Sequence, residues 1–544
     1  MDTWNSLKDR IAEQLHVEPS QIQEPEGEGF GDFSYPCFGL AKEQGKNPAE
    51  IAKVVAGDFK LRGMAAKPIG PYVNFYIDWA STGEGVLKGV SSKYGGNFAK
   101  GKVLIEHSSI NPNASPHVGR ARNAIIGDTL VRLMRFAGYK TEVHYYVNDV
   151  GKQIVLLVWA SRGKKLKFHD LLNEYVKANE LLEKNKSVEQ EIFKFLQRFE
   201  KGDKKAIKQI KDIVKISLDG QKSVLARLNI YYDSFDFESD YIRSKRTEKV
   251  LKALEKTGQV FVDDDGRKVV KYKNTHFVLT RSDGTSLYML RDVAYALDKA
   301  AKGKDVNVIV LGEEQKLYFE QLSYLLGLLN AKPPKVVHYS FVLLEGGKKM
   351  STRKGEVVLV EDMIKEVKEK ASEELKRRYP EMKTKDIEKL ADSITVASIR
   401  YGTIRISPEK NIIFNIDEAV RFEGDTGPYL QYTHARASSI LRKSKKRAGK
   451  FNAALLKEQK EIELLRLLAR YPSVVRSSLN QLRPNILSSY LYSLAETFNN
   501  YYQNVPVLKA EKKVMLARLK LVDSVRVVMK SGLSVLGIDA PEKM

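Results

Sequence analysis

The sequence predicts a multidomain protein that joins α/β and all-α parts, and three observations carry that prediction. Residues 103–147 read in succession as strand, helix and strand. The apolar run Val103, Leu104, Ile105 comes first, and helical spacing then links Ile126, Leu130, Leu133, Met134 and Ala137 up to a stop at Gly138. Val143, Tyr145 and Val147 alternate with polar residues as a second strand does. From about 160 to 230 the chain turns Lys/Glu-rich, with Ile207, Ile210, Ile213 and Val214 at helical spacing, which predicts a helical insertion between halves of the α/β unit. Beyond about 365 nearly everything follows a helical pattern. A chain of 544 residues fits three or four domains.

The remaining elements follow in chain order. Residues 1 to about 90 read as a small mixed unit, with Ile11, Leu15 and Val17 on one early helix. The Gly/Pro-rich stretch 25–36 reads as loop, and 91–97 reads as a linker. Alternation from Val260 to Leu279 around an Asp-Gly turn at 265–266 predicts a hairpin. After Gly424, Asp425 or Thr426 can cap a helix with Pro428 in its first turn and Leu430, Thr433, Ala437, Ile440 and Leu441 on one face. Basic residues 442–447 close it, where they favour the negative end of the dipole and can touch RNA.

Composition bounds the partners. Lys and Arg number 91 against 68 Asp and Glu, a net charge of +23, which points to a polyanion. The one cysteine, Cys37, leaves no thiol pair for a disulfide or cluster for zinc. No apolar stretch is long enough for a membrane span, and the first residues are polar rather than a secretion signal, so the expected setting is the cytoplasm.

Two segments carry the chemistry. The first, IEHSSINPNASPHVGR at 105–120, leaves a strand, crosses a Ser/Asn/Pro loop and enters a helix at His117, Val118 and Gly119. A helix N-terminus presents unpaired N–H groups and a positive dipole end to a phosphate. Gly119 lets a nucleotide approach the backbone, and His117 can donate to its oxygens. Taken alone, the same pattern describes a capped helix beside a satisfied histidine. The second, GKKMSTRKG at 347–355, is a Gly-bounded loop of three lysines and one arginine between apolar flanks at 341–344 and 357–360. It can close over polyphosphate, or serve as a solvated basic turn.

In this order the two segments resemble the paired motifs of class I aminoacyl-tRNA synthetases. The words around them resemble the arginyl-tRNA synthetase family along nearly the whole chain: GDFS at 31–34, GKNP at 45–48, GPYVNF at 70–75, YVNDVGKQ at 146–153, FDFES at 235–239, RSDGT at 281–285, YMLRDVAY at 288–295, DTGPYLQYTHAR at 425–436 and LGIDAPEKM at 536–544. The resemblance implies a small α/β tRNA-binding domain over 1–95, a Rossmann-type catalytic domain over 96–365 and an α-helical bundle that binds the anticodon over 366–544. It implies ATP-dependent ligation of L-arginine to its tRNA through an adenylate, with activation that waits for tRNA, by a monomer. Mg²⁺ travels with the nucleotide in this reading, since no protein ligand cluster for a metal is legible.

The resemblance also distributes roles. His117, Gly119 and Arg120, with Lys349, Met350 and Ser351, match ATP-binding positions, and Arg353 and Lys354 join the catalytic set. A selective arginine pocket needs carboxylates set for the guanidinium fork. Glu238 and Asp292 match those carboxylates, and Tyr288, one turn before Asp292, flanks them. Glu106, Ser108 and Asn111 match positions that hold the amino-acid backbone end, and Gln315 matches an ammonium contact. Asn74 and Tyr76 match the reader of the tRNA elbow, and Tyr501 and Tyr502 match anticodon contacts, where unpaired bases stack on aromatic rings.

Two departures stand out. Arg120 replaces the usual histidine of the first motif, and Thr352 replaces the usual second lysine of the second. Ala114 occupies the position where many arginyl enzymes carry a compensating lysine, so the phosphate clamp falls to Lys349, Arg353, Lys354 or Arg120. Two other readings compete: a nucleotidylyltransferase with the same ATP motif, which needs no basic helical half, and a synthetase-like RNA-binding protein that has lost catalysis.

Overall fold

The structure of the protein, a computed structural model, describes residues 2–25, 27, 29–343, 358–444 and 449–544. Near the N-terminus, Asp2 caps the helix Thr3–Leu15 by accepting from the Asn5 backbone N–H at 3.1 Å. Val17 lies beyond this helix rather than on it. A three-stranded antiparallel sheet follows, with Tyr72–Ile77 between Phe33–Pro36 and Met64–Ile69. The first of these strands lies within the Gly/Pro-rich stretch expected to be loop, because Phe33 and Tyr35 bury against Trp4 and Phe75. The unit docks on the C-terminal helix Gln459–Gln481, where Arg466 donates to Asp32 at 2.6 Å. The stretch 91–97 is packed rather than free: Tyr94 stacks on Tyr471 and donates to the Leu468 carbonyl at 3.0 Å.

The central sheet holds five strands, in the order Lys335–Tyr339, Val306–Gly312, Lys102–Glu106, Lys140–Val147, Ser234–Phe237. Every neighbouring pair is parallel. Counted along the chain and read from the far edge, the strands therefore lie 3-2-1-4-5, the first five strands of the doubly wound order 3-2-1-4-5-6. Its switch point falls between Lys102–Glu106 and Val306–Gly312, and ligands of such sheets bind beyond the carboxyl ends there. Lys102–Glu106 is apolar throughout its middle because both of its faces are covered. The helix Val118–Ala137 packs so closely on the residue that follows the strand Lys102–Glu106 that a Cβ at Gly127 would stand 2.3 Å from the His107 ring.

The expected insertion is helical, as Leu171–Lys184, Lys186–Glu200 and Lys204–Ala226. The expected hairpin gains a strand: Val260–Val262, Lys268–Tyr272 and Thr275–Val278 form an antiparallel sheet of three. Six longer helices make up the described C-terminal part, from Val360–Arg378 to Lys512–Val535. Thr426 is the cap of Gly427–Ser444, its hydroxyl accepting from the Tyr429 N–H at 3.2 Å, while Asp425 turns to Tyr401 and Arg405. Among the described residues, no helix is long and apolar enough to cross a membrane.

Two buried arginines tie these parts together. Arg400 donates to Asp128 at 2.7 Å, to the Leu228 carbonyl at 2.8 Å and to the Leu536 carbonyl at 2.6 Å. Arg122 donates to the carbonyls of Ser340, Phe341, Ser407 and Lys410 at 2.7 to 3.2 Å.

Candidate active site

A cavity of about 430 Å³ opens at the switch point of the parallel sheet, within the size range of small-molecule sites. Glu106 enters it from the end of the first strand, and Gln315 from the turn after Val306–Gly312. Between them runs the loop that carries Ser108 and Asn111. Ser108 and Ser109 adopt φ of +75° and +45°, a left-handed conformation that non-glycine residues hold only when their surroundings enforce it. Here the Asn123 side chain accepts from the Ser108 N–H at 2.6 Å, and the Ser108 hydroxyl meets that of Tyr232. Asn111 gives its amide N–H to Gln153 at 2.9 Å, so its oxygen is the atom it offers to the cavity.

The helix Tyr288–Ala301 forms the opposite wall. Tyr288, Asp292, Tyr295, Ala296 and Lys299 all line the cavity because they recur at helical spacing on one side. Four carboxylates line the cavity, Glu106, Glu238, Asp292 and the more exposed Glu314, and the first two have cations. Lys299 pairs with Glu106, both buried, and also lies 4.0 Å from the Tyr295 ring centre. Arg291 donates to Glu238 at 2.9 Å, and the Asn148 amide reaches the other Glu238 oxygen at 2.7 Å. Asp292 accepts from the Tyr318 hydroxyl, and among the described residues it has no ion pair. Burial, reinforced by neighbouring carboxylates, pushes Glu238 up to about 7 and Asp292 up to about 6.

All seven residues expected at the amino-acid site line one cavity, Glu106, Ser108, Asn111, Glu238, Tyr288, Asp292 and Gln315, together with Arg120. Sequence reasoning missed Lys299, Arg291 and Tyr318. Lys299 was within reach, since it falls seven residues after Asp292 on the same helical stripe. The pairing of Arg291 and Tyr318 had no local signal.

His117 and Gly119 stand outside that cavity, at the mouth of the helix. His117 is the N-cap, extended at φ −85° and ψ 160°, and its side chain makes no cap bond. Burial, with Arg120 beside it, pushes the imidazole down to about 4, so it is neutral near neutral pH. The first-motif backbone pairs with the chain just after the second motif. Val118 N–H donates to the Val358 carbonyl at 3.0 Å, and Val360 N–H to that of Pro116 at 2.9 Å. Val342–Leu343, just before that motif, pairs instead with Ile412–Ile413. Of the flanks expected to be strands or apolar segments, 342–343 is therefore strand, whereas Val360 begins a helix. Lys349, Met350, Ser351, Thr352, Arg353 and Lys354 lie outside the described residues.

The RNA candidates separate by burial. Asn74 is 2% exposed and accepts from the Ser34 hydroxyl at 2.7 Å. Tyr76 is half-buried, donating to the Gly29 carbonyl at 2.7 Å. Tyr501 is fully buried among helices, while its neighbour Tyr502 is 43% exposed under the Arg436 guanidinium. Tyr502, Tyr379, Tyr432, Arg436, Arg442 and Lys443 line a cavity of about 870 Å³.

Comparison with known proteins places these features in a family context. Residues 89–416 match the model of the class I (R) tRNA synthetase catalytic domain, 430–544 that of the DALR anticodon binding domain, and 4–77 that of the arginyl tRNA synthetase N-terminal domain. The arginine–tRNA ligase of Methanocaldococcus jannaschii is 36% identical over 99% of both chains. That of Methanospirillum hungatei is 39% identical over 93% of both. The solved arginyl-tRNA synthetase of Thermus thermophilus superposes with a TM-score of 0.85 at 28% identity, over 99% of each chain.

Proposed function

The chain belongs to the arginyl-tRNA synthetase family of class I enzymes and ligates arginine to tRNA, and from that premise we propose how its residues divide the work. The arginine guanidinium pairs with Asp292, beside Glu238 and Tyr288, and the ammonium meets Asn111 and Gln315, with Ser108 and Glu106 shaping that end. The observation that carries this reading is charge balance. Four carboxylates line the cavity, Glu106, Glu238, Asp292 and Glu314, against Lys299, Arg120 and the Arg291 that pairs with Glu238, and Asp292 is the one facing the guanidinium end from within the wall with no ion pair among the described residues. One planar cation completes the set.

The arginine carboxylate then attacks the α-phosphorus of ATP. A carboxylate–phosphorus bond forms, the α–β phosphoanhydride bond breaks, and pyrophosphate leaves with the electron pair. The terminal ribose hydroxyl of tRNA attacks the adenylate carbonyl, and AMP departs. Positioning and charge stabilisation supply most of the rate. His117 and Gly119 receive the nucleotide at the helix mouth, with Met350 and Ser351. Arg120, Lys349, Arg353 and Lys354 are the candidates to hold the phosphates. Mg²⁺ arrives with the ATP and neutralises phosphate charge. Among the described residues no group of three or more His, Cys, Asp or Glu is placed to hold a metal ion.

We assign 1–95 to tRNA-elbow contacts, 96–365 to catalysis and 366–544 to the anticodon. For the RNA, Tyr502 and the basic cavity around it are better placed than Tyr501, and Tyr76 better than Asn74. The setting of this reading is a cytoplasmic monomer whose activation step waits for tRNA. Arginine-dependent ATP–pyrophosphate exchange tests it directly. Exchange is expected only when an arginine-accepting tRNA is present. Equal exchange without tRNA would remove the coupling, and exchange driven by lysine or citrulline would remove the guanidinium pocket.

The raised carboxyls also set a pH dependence. Guanidinium pairing needs them ionised, so kcat/KM for arginine is expected to fall as pH drops through about 7 toward 6. Stability should move the opposite way. Both groups bind protons more tightly folded than unfolded, where carboxyls titrate near ~4. Their contribution to the stability of the free protein therefore rises as pH falls through the same window. A kcat/KM profile that stays flat from pH 8 to 6 would contradict this account.

A further inference from the structure

The loop that carries Ser108 and Asn111 has no secondary structure of its own between the strand Lys102–Glu106 and the helix Val118–Ala137. Its shape must come from whatever pairs its backbone groups. Much of that pairing comes from one residue of the helical insertion. Gln221, fully buried on Lys204–Ala226, donates to the Asn111 carbonyl at 3.0 Å and to the Ala114 carbonyl at 2.9 Å. Its own oxygen accepts from the Tyr145 hydroxyl at 2.9 Å. That hydroxyl also lies 3.1 Å from both the N–H and the carbonyl of Ile110. Tyr145 in turn packs edge-on against Tyr232, whose hydroxyl meets Ser108.

We propose that Gln221 is a positioning residue for arginine: the insertion, through its amide, holds residues 108–114 in the shape that presents Asn111 to the amino acid. The assignment rests on the reading above that this loop meets the substrate. The side chain is matched to the task. A primary amide supplies two donors and an acceptor in one plane, and all are engaged here. Glutamate would set a charge against two carbonyls, and leucine would leave the Ala114 carbonyl without its donor and the Asn111 carbonyl with the Asn113 N–H alone. Because Gln221 touches no reacting atom, its loss moves the loop rather than removing a ligand. It should weaken ground-state and transition-state binding together, which appears in KM.

The test compares Gln221→Leu, Gln221→Glu, Tyr145→Phe and Asn111→Ala in aminoacylation, with apparent Tm recorded for each. Both Gln221 variants are expected to raise the KM for arginine on the order of tenfold or more, since small misplacements of a binding loop carry effects of that size. The KM for tRNA should stay unchanged. Tyr145→Phe keeps the ring and loses the hydroxyl, so it should move the arginine KM the same way even if a Gln221 variant fails to fold. An arginine KM within twofold of the parent for folded Gln221→Leu, or for Tyr145→Phe where Gln221→Leu does not fold, overturns the proposal when Asn111→Ala raises it. A rise with Gln221→Leu and none with Asn111→Ala upholds the positioning role and removes Asn111 from the arginine contacts. No effect from any of the four overturns the proposal and the reading of the loop together.

Discussion

Replacing Asp292 with alanine should all but abolish arginine use while leaving the protein folded. Asp292 lines the inner wall of the cavity with no ion pair among the described residues, its neighbours Glu106 and Glu238 are occupied by Lys299 and Arg291, and the other unpaired lining carboxylate, Glu314, is exposed. Without Asp292 a guanidinium would enter a buried wall with no carboxylate there free to meet it. Uncompensated burial of that kind costs about 3–5 kcal/mol, or roughly two to three and a half decades in kcat/KM at 1.4 kcal/mol per decade. The fold should be spared, because burial makes the free carboxylate a burden rather than a support. Asp292→Asn keeps the shape and should still lose most of the effect. Kinetics of ATP–pyrophosphate exchange beside a thermal melt check both halves. Arginine use within a few-fold of the parent would sink the assignment.

The second large effect concerns stability. Arg400→Met removes a fully buried cation whose partners come from three other segments: Asp128 on the first-motif helix, Leu228 after the insertion and Leu536 at the C-terminal end. Methionine fills much of the volume but pairs with none of them. The Asp128 carboxylate keeps Arg132 at 2.7 Å, whereas the Leu228 and Leu536 carbonyls lose the Arg400 guanidinium that donates to them. Breaking one partner of a buried pair typically costs about 3–5 kcal/mol, so the apparent melting temperature should fall by several degrees. An unchanged melt for Arg400→Met would mean that the contact is incidental.

Much of the site was legible from residue order alone. The words around Asn111, Glu238, Tyr288, Asp292 and Gln315 lie in four separate stretches, and their order matched one family before any contact was known. The matches to arginine–tRNA ligases along nearly the whole length replace both competing readings. What residue order concealed was occupancy. Glu238 and Asp292 look alike as carboxylates, yet one faces an arginine and the other a phenol. Tyr501 and Tyr502 are adjacent aromatics, but about a hundred degrees of helix turn puts the first in the core and the second on the surface. Asn74 shows the limit of strand alternation: Val73, Asn74 and Phe75 are all buried because both faces of that strand are covered. The stretch 91–97 carries linker composition, yet Tyr94 is fastened to Tyr471 and Leu468.

The sequence by itself determined the class of chain, the order of its parts and the residue types the chemistry requires. Periodicity, turn residues and motif spacing are local properties written in residue order. Only the tertiary structure decided which carboxylate is left for the substrate, which tyrosine faces solvent, and that Gln221 of the insertion grips the first-motif loop. Those outcomes depend on groups 53 to 110 residues apart meeting in a water-poor interior. There, each buried charge or carbonyl must find whichever partner the packing brings within reach.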